Sequence, residues 1–122
     1  PWIIVAIDHT DDRFSEYSPW IGGRAERTSQ FLVETLKPYI DSNFRTRPEQ
    51  PWTGVMGASM GGLITLYIGK TYPHLFGRIG CLSATLMWGK NLFGRPQMFN
   101  LWNKKTDYWS KILIYVGGAE QY

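Results

Sequence analysis

Residues 2–7 form a nearly unbroken apolar run that ends at Asp8, and residues 112–116 form another that ends at Gly117. Runs of this kind read as strands covered on both faces by helices, the arrangement of a parallel sheet. Two shorter β-prone runs lie between them. Residues 53–56 lead into Ser59, and residues 79–82 lead into Ser83. Helical periodicity appears over residues 29–44, where Phe31, Leu32, Leu36, Tyr39, Ile40 and Phe44 share one side and Glu34, Lys37 and Asp41 the other. Pro38 removes a backbone donor inside that stretch, so a kink or a separate second turn is expected there. A second helix is predicted from Met60 to about Tyr72, with Leu63, Ile64, Leu66, Tyr67 and Ile68 as its apolar face and Pro73 as its stop. Four strands alternating with helices predict an open α/β layered sheet.

Two segments break the rhythm. Residues 9–23 form a polar loop leaving the carboxyl end of the first run, and residues 87–109 are irregular and carry Trp88, Phe93, Phe99, Trp102, Tyr108 and Trp109. Ligands of open parallel sheets bind at the strand carboxyl ends, so both segments are placed to shape a pocket. Anchoring a long connection onto the core is the alternative for the aromatics.

Composition narrows the chemistry. With 122 residues the chain amounts to one domain, residues 1–122, and its +3 net charge comes from scattered Arg and Lys residues with no long run. Neither nucleic acid nor an anionic membrane is an expected partner. Cys81 is the sole cysteine and sits in an apolar run, so it reads as a buried small side chain with no intrachain disulfide. No His or Cys cluster suggests a metal, no glycine loop suggests a phosphate, and no cofactor is expected. Asp11-Asp12 reads as a solvated loop pair.

The sharpest motif is Gly57-Ala58-Ser59-Met60-Gly61-Gly62, preceded by a strand and followed by a helix. That context fits a nucleophile elbow, in which a serine occupies a strained bend and glycines two residues to either side let strand and helix pass closely. Gly57 and Gly61 are the elbow glycines, Ser59 is the candidate nucleophile, and the Met60 amide is the candidate oxyanion-hole donor. A serine nucleophile needs a base. The chain order of the triad is serine, acid, histidine, which counts against His9 and His74.

With these residues in hand, the chain resembles the Putative esterase family of α/β-hydrolases, within it the branch of enterochelin-esterase-like and siderophore-trilactone hydrolases. The resemblance runs through Ile4-Val5-Ala6-Ile7-Asp8, Glu16-Tyr17-Ser18-Pro19-Trp20, Phe31-Leu32-Val33-Glu34, Leu36-Lys37-Pro38-Tyr39-Ile40-Asp41 and Phe44-Arg45-Thr46. It continues through Gly57 to Leu63, Tyr72-Pro73, Leu75-Phe76-Gly77 and Ile114-Tyr115-Val116-Gly117-Gly118 with Glu120. After Ser83 the branch looks like Ser-Pro followed by aromatics, whereas this chain has Ala84-Thr85-Leu86-Met87-Trp88.

The resemblance implies an α/β-hydrolase fold, a mostly parallel sheet with flanking helices, in a central and therefore partial form. On this expectation the chain is incomplete at both ends. A central strand with the second oxyanion-hole loop is expected before Trp2, and the catalytic histidine after Tyr122. The expected central strand lies between the run ending at Asp8 and the strand leading to Ser59, so these two either stay apart or are forced to pair. The resemblance also places Glu120 where related esterases carry the acid that orients the histidine, with an exposed loop acid as the alternative. The implied activity is a serine carboxylic-ester hydrolase that forms an acyl-serine intermediate on a small-molecule ester, siderophore-type esters among them. An acyltransferase of the same fold and a catalytically inert hydrolase fragment or interaction module are the competing readings.

Overall fold

The computed structural model describes residues 1–90, 94–103 and 105–118. A short helix, α1 (Arg13–Glu16), follows the first apolar run, and α2 (Ala25–Gln30) begins a longer helical rod. The rod continues through a π-helical turn (Phe31–Leu36) into α3 (Lys37–Asn43). After a 3₁₀ turn (Gln50–Trp52) come β1 (Gly54–Ala58), α4 (Met60–Thr71), β2 (Arg78–Leu82), α5 (Gln97–Trp102) and β3 (Lys111–Tyr115). The strands lie in the order β1-β2-β3, all parallel, with Val55 beside Ile79 and Ile79 beside Ile112. This is the expected layering of a parallel sheet with helices.

Residues 2–7 are the main departure from expectation. They form no strand, and Trp2, Ile3, Ile4, Val5 and Ile7 are all exposed. Apolar character alone does not make a strand; its N–H and C=O groups need a neighbour's ladder. Both outcomes anticipated for this run assumed a strand; residues 2–7 form none and do not pair with β1. Burial of the strands also falls short of expectation. Ile79 and Cys81 of β2 are buried, yet every residue of β3 is exposed. The cause is position, because α4 lies over β1 and β2 while β3 stands at the outer side of β2.

The rod starts earlier than its apolar periodicity suggests. Ala25 and Ser29 are buried, whereas Phe31, Tyr39 and Phe44 are exposed. Pro38 causes no break. Leu36 and Lys37 keep right-handed helical angles, and the preceding turn widens to the π form, which accommodates a ring that offers no N–H. On the polar side Lys37 Nζ meets Asp41 Oδ2 at 2.6 Å and donates to the Pro48 carbonyl at 3.1 Å. The Thr46 hydroxyl donates to Asp41 Oδ1 at 2.8 Å, so the end of the rod is fastened to the segment beyond it.

α4 is the centre of the molecule. Met60, Leu63, Leu66, Ile79, Cys81 and Ala84 form one buried cluster along it, and Ile64 and Ile68 form a second with Ala25 and Phe76. A helix buried on most of its circumference is held in place from several sides, and its first residue follows Ser59 directly. Burial also pushes the Cys81 thiol up to about 11, which marks it as a packing residue.

Candidate active site

β1 runs straight into the corner. Ser59 has φ 54° and ψ −120°, a positive φ that a non-glycine residue adopts only under constraint, and α4 begins at the next residue. Three backbone hydrogen bonds impose it. The Ser59 N–H donates to the Leu82 carbonyl at 3.0 Å, and the Ser59 carbonyl accepts from Leu63 N–H and Thr85 N–H, each at 3.1 Å. The residue is exposed at the carboxyl rim of the sheet.

The two elbow glycines serve different purposes. A Cβ on Gly57 would stand 2.5 Å from the carbonyl carbon and oxygen of Gly61, so only glycine fits there. A Cβ on Gly61 would meet nothing within 4 Å, so the side-chain room expected to matter at Gly61 is not what the bend requires. Gly62 is the tighter position, since its Cβ would lie 2.7 Å from that of Ala84.

Met60 is the first residue of a 12-residue helix, where an N–H has no acceptor within the helix and the helix dipole favours negative charge. Its side chain is buried, which fixes the residue while leaving the amide at the corner. A group with this placement can donate to a developing oxyanion beside Ser59.

Neither histidine reaches the corner. His9 Nδ1 lies 2.7 Å from the Thr10 carbonyl and the ring meets Tyr17 edge-on. His74 is exposed beyond the far end of α4, between Tyr72 and Tyr108. Glu120 and Phe93 lie outside the described residues. The segment leading towards Glu120 leaves the same rim as Ser59, because the Tyr115 carbonyl at the end of β3 accepts from Ser83 N–H at 2.7 Å.

Sequence reasoning passed over Thr85 as a site residue. Its hydroxyl oxygen lies 3.2 Å from Ser59 Oγ. The available signal was a polar residue just beyond the end of β2, on the same rim, in the stretch that departs from the resembled branch. The two irregular segments also meet here. Trp20 Nε1 donates to the Trp88 carbonyl at 2.8 Å, Trp88 Nε1 donates to Ser18 Oγ at 3.2 Å, and Phe14 stacks on Trp88. Trp88 N–H in turn donates to the Thr85 carbonyl at 3.1 Å. These aromatics anchor one loop to the other, while Phe14 and Met87 remain half exposed.

Hollows of about 210 Å³, lined by Trp20, Gln97, Asn100 and Leu101, and about 300 Å³, lined by residues including Tyr17, Arg24 and Arg27, lie elsewhere on the surface. Ser59 lines neither of these two and is exposed to solvent. Among the described residues, no three His, Cys, Asp or Glu side chains converge and no helix is long and apolar enough to cross a membrane.

The sequence profile of a family described as Putative esterase matches residues 2–114. The chain is 29% identical over 100 residues to Uncharacterized protein YbbA of Bacillus subtilis (strain 168), covering 73% of this chain and 39% of that protein. It is 29% identical over 101 residues to Ferri-bacillibactin esterase BesA of the same organism, covering 82% and 34%. The solved structure of siderophore hydrolase EstB from Aspergillus nidulans matches with a TM-score of 0.60 at 23% identity, over 91% of this chain and 37% of that one. At that identity the structural likeness speaks for the α/β-hydrolase fold. The chain spans under two fifths of the length of each of these relatives.

Proposed function

The chain belongs to the Putative esterase family, and from that premise we propose that it carries the nucleophile of a serine carboxylic-ester hydrolase. The observation that carries the reading is Ser59 itself: an exposed hydroxyl on a residue at φ 54° between a parallel strand and a buried helix. Strain of this kind persists where the surroundings over-determine it, and it is the backbone feature expected of a nucleophile elbow.

In this reading Ser59 Oγ attacks the ester carbonyl as its proton passes to a base. The carbonyl oxygen becomes an oxyanion facing the Met60 N–H. Collapse expels the alcohol, which takes the proton from the base, and leaves an acyl-serine. Water then repeats the sequence, releasing the acid and restoring Ser59. A single oxyanion donor contributes on the order of 3 kcal/mol to the transition state, so a second donor is needed for full activity. Neither His9 nor His74 is proposed as the base: His9 Nδ1 lies against the Thr10 carbonyl and the His74 ring lies against Tyr108. Glu120 is the proposed acid, supported by its place in the sequence shortly after β3 and by the resemblance to esterases that carry an acid there.

The proposed substrates are small-molecule esters of the siderophore type. Support comes from the relatives, one a ferri-bacillibactin esterase and another a siderophore hydrolase. The test is hydrolysis of a short-chain nitrophenyl ester and of a ferric trilactone siderophore by the complete gene product. Ser59→Ala is expected to lower kcat by on the order of 10⁴-fold or more on both. Equal rates for the two proteins overturn the proposal, and activity on the nitrophenyl ester alone overturns the substrate class.

A further inference from the structure

The Ser59 hydroxyl meets one hydrogen-bonding side chain among the described residues, and it comes from the neighbouring strand's own corner. β2 ends at Leu82, Ser83 takes φ 43°, and the chain turns back so that Thr85 lies against Ser59. The approach is fixed by backbone and by Ala84. Thr85 N–H donates to the Ser59 carbonyl at 3.1 Å, and Ala84 sits where a side chain on Gly62 would have to go. The Thr85 hydroxyl is therefore not what brings the two corners together. It is a polar group delivered to 3.2 Å from the nucleophile by contacts that do not need it.

A serine nucleophile must keep its own proton for the base, so a useful neighbour is one that donates to Oγ and leaves that proton free. Threonine can do this with little freedom to turn away, because its β-branch restricts χ1. We propose that Thr85 is a positioning residue for Ser59: its hydroxyl donates to Ser59 Oγ and holds that side chain in one rotamer, with the serine proton directed to the base. The same donor stabilises the oxygen as the proton leaves. The kinetic consequence rests on the hydrolase reading above; the positional consequence does not.

The experiment compares the complete gene product with Thr85→Val, which keeps shape and loses the hydroxyl, Thr85→Ala, which serves if valine impairs folding, and Thr85→Ser, which keeps the hydroxyl. The probes are a fluorophosphonate for labelling rate, a nitrophenyl ester for kcat and KM, and crystal structures for the Ser59 rotamer. Loss of the hydroxyl is expected to slow labelling and lower kcat about threefold to tenfold with KM unchanged, while Thr85→Ser stays within about twofold of the parent. Ser59 should occupy one conformer in the parent and in Thr85→Ser, and more than one in Thr85→Val or Thr85→Ala. An unaltered Ser59 rotamer, unchanged labelling, or a Thr85→Ser variant as slow as Thr85→Val overturns the proposal. If the parent itself is not labelled, the hydrolase reading fails, and the rotamer comparison still decides the role of Thr85.

Discussion

Gly57 and Gly61 meet backbone to backbone across the corner, the position of a Gly57 Cβ being only 2.5 Å from the Gly61 carbonyl while a Gly61 Cβ would stand in open space. The motif is symmetric in sequence and asymmetric in structure. Gly57→Ala must push β1 and α4 apart and is expected to cost about 1–3 kcal/mol. Gly61→Ala lies in the first turn of α4 and should be neutral or stabilising by up to about 1 kcal/mol, since alanine is the better helix former. Denaturant midpoints of the two variants check this, and equal destabilisation would refute the asymmetry.

The Cys81 thiol gives a pH dependence of definite sign. Its pKa is raised by burial from 9.0 to about 11. Between those values the unfolded chain loses a proton that the folded chain keeps, so stability falls as pH rises, by up to ~1.4 kcal/mol per unit. Cys81→Ala should flatten that part of the stability profile. Native protein at pH 8 should react with a thiol reagent only as fast as it opens.

Trp20 and Trp88 tie the two rim loops, and Gly89 is the residue that permits it. It has φ 72°, and a Cβ there would lie 1.8 Å from the Trp20 ring. Gly89→Ala is expected to cost about 1–3 kcal/mol through strain and displacement of the indole. Trp20→Phe removes the 2.8 Å hydrogen bond while keeping a ring and should cost about 0.5–1.5 kcal/mol. Thermal unfolding measures both, and a Gly89→Ala variant as stable as the parent would mean that the tie carries no weight.

What the sequence revealed was local. β1, the corner and α4 follow from neighbouring residues, so the start of α4 at Met60 was legible to the residue, while β1 runs two residues past its expected end at Met56, to Ala58. Pairing was not. Residues 2–7 have strand-like composition, but strand formation depends on a partner's backbone, and none is found for them among the described residues. The start of the rod was hidden for a different reason: Ala25 and Ser29 pack because they are small, and small residues leave no hydrophobic period. Thr85 illustrates the same limit at the site, since its approach to Ser59 spans 26 positions and depends on how β1 and β2 register.

The central claim is that Ser59 is a nucleophile, and site mapping of covalent modification tests it most directly. The complete gene product is treated with a fluorophosphonate, digested, and the modified peptide located by mass spectrometry. A single adduct on Ser59, absent in Ser59→Ala, is the predicted result. An adduct on another residue, or none on a folded protein, would contradict the account.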